Sequence, residues 1–213
     1  MKTVDIYFVR HGQTYFNLMH KMQGWSDSPL TAEGVDCVTT TGQSLKTIDF
    51  DAVYSSDLKR ALDTAIIICQ QSKHELPKIQ QLPTLREVFF GGFEGLNNLE
   101  TWAIVGKPLG CKTQAEIIER YSIDIARDVM HQADPFGYAE DAAAFWSRFE
   151  SARQILLSEN RNHARILVVT HGTFLKMLLL KYFGDVISIE SAFPENGSVT
   201  KIRISHEKMV LLK

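Results

Sequence analysis

The sequence predicts a three-layer α/β fold, with helices on both faces of a mostly parallel sheet. Two observations carry that reading. Through the first 82 residues, apolar strand-like runs alternate with helix-like stretches in the order β-α-β-α-β, which implies parallel pairing and right-handed crossovers. Two runs far apart in the chain, near Val4–Val9 and Arg165–Thr170, read as buried strands, and each gives way to a histidine followed by glycine: His11-Gly12 and His171-Gly172. In a parallel sheet both histidines point into the crevice outside the carboxyl ends of the strands, where α/β proteins bind ligands.

The elements follow in order. Val4, Ile6, Phe8 and Val9 make a buried first strand, with Tyr7 favouring the same state. A loop through Asn17 and Gln23 to Pro29 leads to Thr31, which can cap a helix running to about Leu45. Ile48 to Ser55 is the second strand. Ser55-Ser56-Asp57 offers capping side chains to a helix from Leu58 to about Gln71, with Arg60 in its first turn. Ile79 to Leu82 is a short third strand closed by Pro83. Three glycines among residues 91–95 mark a loop under conformational demand.

Residues 96–140 are less regular and read as an insertion over the sheet, in a single domain spanning 1–213. Thr113 to Glu116 forms a capping box there, and Asp134-Pro135 and Gly137 break the segment near its end. An apolar stripe of Phe145, Phe149, Ile155 and Leu156 defines a helix from about Asp141 to Glu159. The strand Arg165–Thr170 is the clearest in the chain, and Thr173 to Tyr182 is helical. Two last strands, about Ser198–Ile204 and Lys208–Leu212, are joined by a tight turn at His206-Glu207.

Composition narrows the function classes. The 213 residues can build one sizeable core or at most two small ones, and 45% apolar with 23% charged residues is ordinary for a globular protein. A net charge of −2 gives no broad basic field for nucleic acid or an anionic membrane, so anion binding must come from a local cluster. Cys37, Cys69 and Cys111 are odd in number and widely separated, which argues against a disulfide framework or a cysteine zinc site. With no leader-like or membrane-spanning run, a cytoplasmic location is expected. Oligomeric state is not legible.

Arg10 precedes His11, and Arg60 stands one helical turn past another strand end. Two arginines and two histidines converging on one point make an oxyanion pocket, because guanidinium donors match phosphate oxygens in pairs. The helix opening at Thr173 is expected to add backbone N–H groups to it.

Around these residues the sequence resembles the histidine phosphatase superfamily, the group that includes cofactor-dependent phosphoglycerate mutases. The resemblance rests on Arg10 to Thr14, Asn17, Gln23-Gly24, Asp27 to Thr31 with Gly34, and Tyr54 to Leu58 with Arg60, Ala61, Thr64 and Ala65. Leu85-Arg86-Glu87 with Glu94-Gly95, and Thr170-His171-Gly172, complete it. It implies a phosphoglycerate mutase-like sheet of about six strands with one antiparallel edge strand, placed in the Ser198–Leu212 hairpin region. It implies that His11 is the nucleophile that forms a phosphohistidine. Arg10, Arg60 and His171 would hold the transferring group, with Asn17 as a neutral donor. Glu87 would be the proton donor, with its pKa raised by the nearby phosphate and with Glu94 as the rival carboxylate.

Gln23, Gly24 and Gly172 are further candidates for phosphate or substrate binding, although loop and capping roles would also account for Gln23 and Asn17. Neither a metal nor a cofactor is expected. The partner is a small phosphorylated molecule. Residues 96–140 would choose it, with Trp102, Lys107, Lys112, Arg120 and Tyr121 as candidates.

The expected activity is hydrolysis of a small phosphomonoester. A 2,3-bisphosphoglycerate-dependent phosphoglycerate mutase is the alternative, and a non-catalytic phosphate-binding relative is a third reading. Val88 and Phe89 stand where mutases of the resembled family tend to carry a basic pair, and no mutase-like tail follows the last strand. By contrast, Gly95-Leu96-Asn97-Asn98 resembles the mutase segment.

Overall fold

The computed structural model describes residues 2–212. Its sheet contains β1 (Thr3–Arg10), β2 (Ala52–Ser55), β3 (Gln80–Gln81), β4 (Ala164–Thr170), β5 (Val199–Ser205) and β6 (Met209–Leu211), in the order β3-β2-β4-β1-β5-β6. Pairing is parallel from β3 through β1 and antiparallel for β1–β5 and β5–β6. Five strands therefore run one way and β5 runs against them. The antiparallel strand is not the edge that was expected. The hairpin carries β6 past it, and β6 is the edge.

The strands alternate across the sheet with period two. Ile6, Phe8, Ile166 and Val168 bury against one helical layer, while Val9, Val53, Leu167 and Val169 bury against the other. The second layer is α2 (Ala32–Leu45) and α3 (Lys59–Gln70), through Leu45, Ala61, Ala65 and Ile68. The first layer holds α7 (Ala142–Ser158) and α8 (Gly172–Phe183), through Phe145, Phe149 and Phe174. It also holds the helices of the 96–140 segment: α4 (Asn98–Gly106), α5 (Gln114–Arg120) and α6 (Ile123–Ala133). Their Trp102, Ile117 and Met130 join the same core, so this segment is fused to the sheet's packing rather than laid over it.

Several local expectations change for physical reasons. The second strand begins at Ala52, not Ile48. Ile48 N–H still bonds the Leu45 carbonyl at the end of α2, and Phe50 is buried without joining the ladder. Burial alone produced its strand-like signal. Thr31 caps α2 as predicted, accepting from Gly34 N–H at 3.0 Å. The N-cap of α3 is Leu58, which has no side chain to do the job, and Asp57 is drawn off by Arg86 at 2.7 Å. The Asp27 carboxylate, from the loop after β1, accepts the Arg60 N–H instead. The Thr113 box is half formed: Thr113 accepts from Glu116 N–H, while Glu116 reaches back to Lys112 N–H. A one-turn helix, α1 (Tyr15–Leu18), escapes sequence reading because four residues carry no periodicity.

Candidate active site

The register of β1 against β4 sets Arg10 beside Thr170, and His11 N–H bonds the Thr170 carbonyl at 3.0 Å. The two histidines thus leave neighbouring strands side by side, with ring centroids 5.2 Å apart. Glycine at position 12 is required because a Cβ there would stand 2.8 Å from the Gly34 carbonyl oxygen. Its N–H is held by Thr64 Oγ1 at 3.0 Å, which fixes the turn after the strand.

Strand β2 lies on the far side of β4, so the first turn of α3 opens at the same edge. From there Arg60 reaches His11, its Nε 3.2 Å from His11 Nε2. Three more of its N–H groups are held in place, Nη2 to the Gly24 carbonyl at 2.7 Å and Nη1 to the Ser26 carbonyl and Asp27, which leaves one Nη2 N–H for a ligand. Arg10 is set differently. It donates to the Pro194 carbonyl at 2.7 Å and lies 4.5 Å over the Phe193 ring, and its Nε has no partner among the described residues.

The His11 Nδ1 lies 2.7 Å from its neighbour's carbonyl, Gly12 O, and a carbonyl can only accept. Nδ1 therefore carries the proton and Nε2 presents its lone pair. Burial, then the charges of Arg60 and Arg10, holds the imidazole well below its ordinary pKa, so it is neutral. The His171 ring is likewise kept neutral by burial first and then by Arg60. Neither of its ring nitrogens has a protein partner among the described residues, although the side chain is fully buried. Such a group is costly unless something in the adjoining crevice meets it. Burial lowers Arg10 to about 10, which still leaves it charged at neutral pH.

The two candidate carboxylates are now separable. Glu87 is 4% exposed and lines the cavity. It accepts from Thr173 N–H at 2.8 Å, Phe174 N–H at 2.7 Å and Val88 N–H at 3.0 Å. Burial raises its pKa, against the lowering effect of those bonds and of Arg60. Glu94 turns the other way. Its carboxylate gathers the N–H groups of Gly24, Trp25, Ser26 and Phe90, and the Ser26 hydroxyl. It ties down the loop whose carbonyls hold Arg60.

Arg10, His11, Asn17, Gln23 and Glu87 line a single cavity of about 380 Å³, and Arg60 and His171 meet His11 beside it. Asn17 Oδ1 accepts from Thr14 N–H and from the Asn196 amide, which leaves its NH₂ group as the free end. Two expectations need correction. Gly24 does not line the cavity: its N–H goes to Glu94 and its carbonyl to Arg60. Gln23 does line it: its Oε1 accepts from Thr14 and its Nε2 donates to Ser28, which leaves one amide N–H. Gly172 is needed for packing, since a Cβ there would stand 2.8 Å from Phe193 and 3.0 Å from Arg10. The Thr173 and Phe174 N–H groups of α8 serve Glu87 rather than an anion directly.

Of the five candidates in 96–140, only Trp102 reaches the cavity, while Lys107, Lys112, Arg120 and Tyr121 are exposed. The wall is built instead by Asn98, Leu99, Thr113, Gln114 and Ala115, with Lys21, Lys176 and Phe193. Asn196 was also missed; it donates to the His11 carbonyl at 2.9 Å. The Asn196-Gly197 turn signal and the i, i+3 spacing of Thr173 and Lys176 could have found two of these.

The fold and the paired strand-end histidines define a phosphoglycerate mutase-like α/β protein. The chain belongs to the histidine phosphatase superfamily (branch 1), whose profile matches residues 6–213. It is 29% identical to a 2,3-bisphosphoglycerate-dependent phosphoglycerate mutase of Bacteroides fragilis, over 84% of this chain and 79% of that protein. It is 32% identical to an adenosylcobalamin/alpha-ribazole phosphatase of Escherichia coli K12, again over 84% and 79%. The structure of a phosphoglycerate mutase from Bacillus anthracis superposes with a TM-score of 0.89 at 34% identity, covering 99% of this chain and 92% of that one.

Proposed function

We propose that this protein is a phosphatase that hydrolyses a small phosphomonoester through a phosphohistidine on His11. The observation that carries the reading is the His11 ring: neutral, its Nδ1 proton on Gly12 O, its Nε2 lone pair at the mouth of an arginine-lined crevice. Nε2 attacks phosphorus and forms a P–N bond as the P–O bond to the alcohol breaks. Glu87, whose raised pKa favours the acid form, gives its proton to the departing oxygen. Water then attacks phosphorus, its proton passes to the Glu87 carboxylate, and the P–N bond breaks to return neutral His11 and inorganic phosphate. Arg10, Arg60, His171 and the Asn17 amide are suited to the equatorial oxygens, where charge collects during transfer.

The 96–140 segment selects the alcohol portion through Asn98, Leu99, Trp102 and the Thr113–Ala115 turn. No helix among the described residues is long and apolar enough to cross a membrane, and all three cysteines are free; we place the protein in the cytoplasm.

A mutase is the second reading. It is favoured by the names of two similar proteins and by Asn98, from the mutase-like segment, standing in the cavity wall. Against it, the two residues after Glu87 bring no cation to the site. Val88 is fully buried, and Phe89 stacks on Trp25 at 4.8 Å. The test supplies 3-phosphoglycerate with catalytic 2,3-bisphosphoglycerate and follows 2-phosphoglycerate and free phosphate together. Isomerisation much faster than phosphate release from any ester would overturn the phosphatase reading.

A further inference from the structure

Lys176 is a cation that the phosphoryl chemistry does not use. It lies one turn beyond Thr173 on α8 and lines the cavity, yet it is only 6% exposed. Its ammonium donates to Gln114 Oε1 at 2.9 Å, and no ion pair to a carboxylate forms among the described residues. The same Phe193 ring that lies under Arg10, 4.5 Å from its Cζ, stands 5.7 Å from Lys176 Nζ. The two cations therefore share one aromatic ring and are at most about 10 Å apart. Because Gln114 accepts from the lysine through its oxygen, its amide N–H groups remain to donate beside the ammonium.

We propose that Lys176 and the Gln114 amide form a second anion subsite that selects phosphomonoesters whose alcohol portion itself carries an anionic group. With a phosphoryl oxygen on Arg10 and an anionic oxygen on Lys176, each held by a charge-assisted contact of about 2.8 Å, one small molecule can reach both cations. The second group is a carboxylate or another phosphate. This inference rests on the phosphomonoester reading of the site, and it moves selection from the 96–140 segment alone to a contact between that segment and α8.

The subsite is sensitive to pH. Burial brings Lys176 down to about 8, so its charge, and its hold on an anion, is present at neutral pH and fades as pH rises through that value. The other charged groups lining the cavity are Arg10 and Lys21 on one side of the balance and Glu87 and Glu190 on the other.

The experiment compares glycerol 3-phosphate with 3-phosphoglycerate, which differ only by a hydroxymethyl group against a carboxylate, and adds propane-1,3-diol bisphosphate. Phosphate release gives kcat/KM for each ester between pH 6.5 and 9.5. The wild type is expected to prefer at least one of the two acids over the neutral ester at pH 7, by about tenfold or more, and to lose that preference above about pH 8. The acid with the greater preference identifies the second group. In Lys176→Met the preference is gone at every pH, whereas Lys176→Arg keeps it and extends it to pH 9.5. Equal losses on all three esters in Lys176→Met, a preference unchanged by that variant, or no preference in the wild type would each overturn the subsite. Should Lys176→Met not fold, Lys176→Arg decides alone, by whether the preference persists above pH 8. Failure of the phosphatase reading shows separately, as a wild-type enzyme that releases phosphate from no ester.

Discussion

Arg60 Nε faces His11 Nε2 across 3.2 Å, so the atom proposed to attack phosphorus already has a cation at its side. The contact does two things. It contributes to holding the imidazole neutral, and it marks where an entering phosphoryl oxygen would find a donor. The loop carbonyls and Asp27 prevent the guanidinium from swinging away.

His11→Ala should abolish turnover and leave the fold intact. A covalent scheme has no substitute for its nucleophile, so a fall of about a thousandfold or more in kcat is expected on a chromogenic phosphate ester. Circular dichroism and the melting temperature should stay close to those of the parent. Activity within tenfold of the parent would remove His11 from the nucleophile's role.

Glu87→Gln should slow alkyl esters far more than nitrophenyl esters. A proton donor matters when the departing oxygen is basic and matters little for a nitrophenolate. In the parent, the alkyl rate should fall as pH rises through the Glu87 pKa, which burial places above the usual carboxylate range. Equal losses on both ester types would move the acid elsewhere.

Glu94→Gln should behave in the opposite manner. Its carboxylate organises backbone N–H groups of the Gly24–Ser26 loop, and that loop holds Arg60. An amide in its place turns one acceptor into a donor facing partly buried N–H groups, at a cost of about 1 kcal/mol or more. The expected result is lower stability with an activity loss independent of the leaving group. A leaving-group-dependent loss in this variant, joined to none in Glu87→Gln, would exchange the two roles.

What the sequence made legible was local. Thr31 caps its own helix, and Ile166 to Val169 is a strand in any reading, so β1, β4, α2, α3, α7 and α8 fall within a few residues of expectation. The paired His-Gly steps placed the site because a parallel sheet leaves them nowhere else to go. The missed parts join distant positions. Asn196 supports His11 from 185 residues away, and Lys176 meets Gln114 from 62 residues away. Glu87 and Glu94 are both acidic residues beside a glycine loop, and only their partners tell them apart. In 96–140, Lys107, Lys112, Arg120 and Tyr121 were candidates beside Trp102, but those four face solvent, and the wall is made of Trp102 with Asn98, Leu99 and Gln114.

Dialysis against a chelator should leave kcat unchanged. Arg10 and Arg60 supply the positive charge, and they do so as fixed side chains. The described residues also bring no three His, Cys, Asp or Glu side chains together as ligands. Activity that is lost on dialysis and restored by a divalent ion would contradict the phosphohistidine scheme.

The buried histidines should make stability depend on pH, and His171 allows the effect to be isolated. Its folded pKa lies well below 6.5, mainly through burial, whereas in the unfolded chain it titrates near 6.5. As pH falls below 6.5 the unfolded state takes up a proton that the folded state refuses. Stability is therefore complete above that value and is lost progressively down to the folded pKa. One such group contributes a slope approaching about 1.4 kcal/mol per pH unit. His11 pulls the same way and Glu87, with its raised pKa, pulls the opposite way over its own titration, so the absolute slope mixes all three. The comparison that separates them is urea unfolding of the parent and of His171→Gln at pH 7.5, 6.5 and 5.5. The parent's free energy of unfolding should fall more steeply below pH 6.5 than the variant's, by close to one proton's worth of slope. Parallel curves would mean that His171 takes up its proton equally in both states, and the neutral imidazole assigned to it would then be wrong.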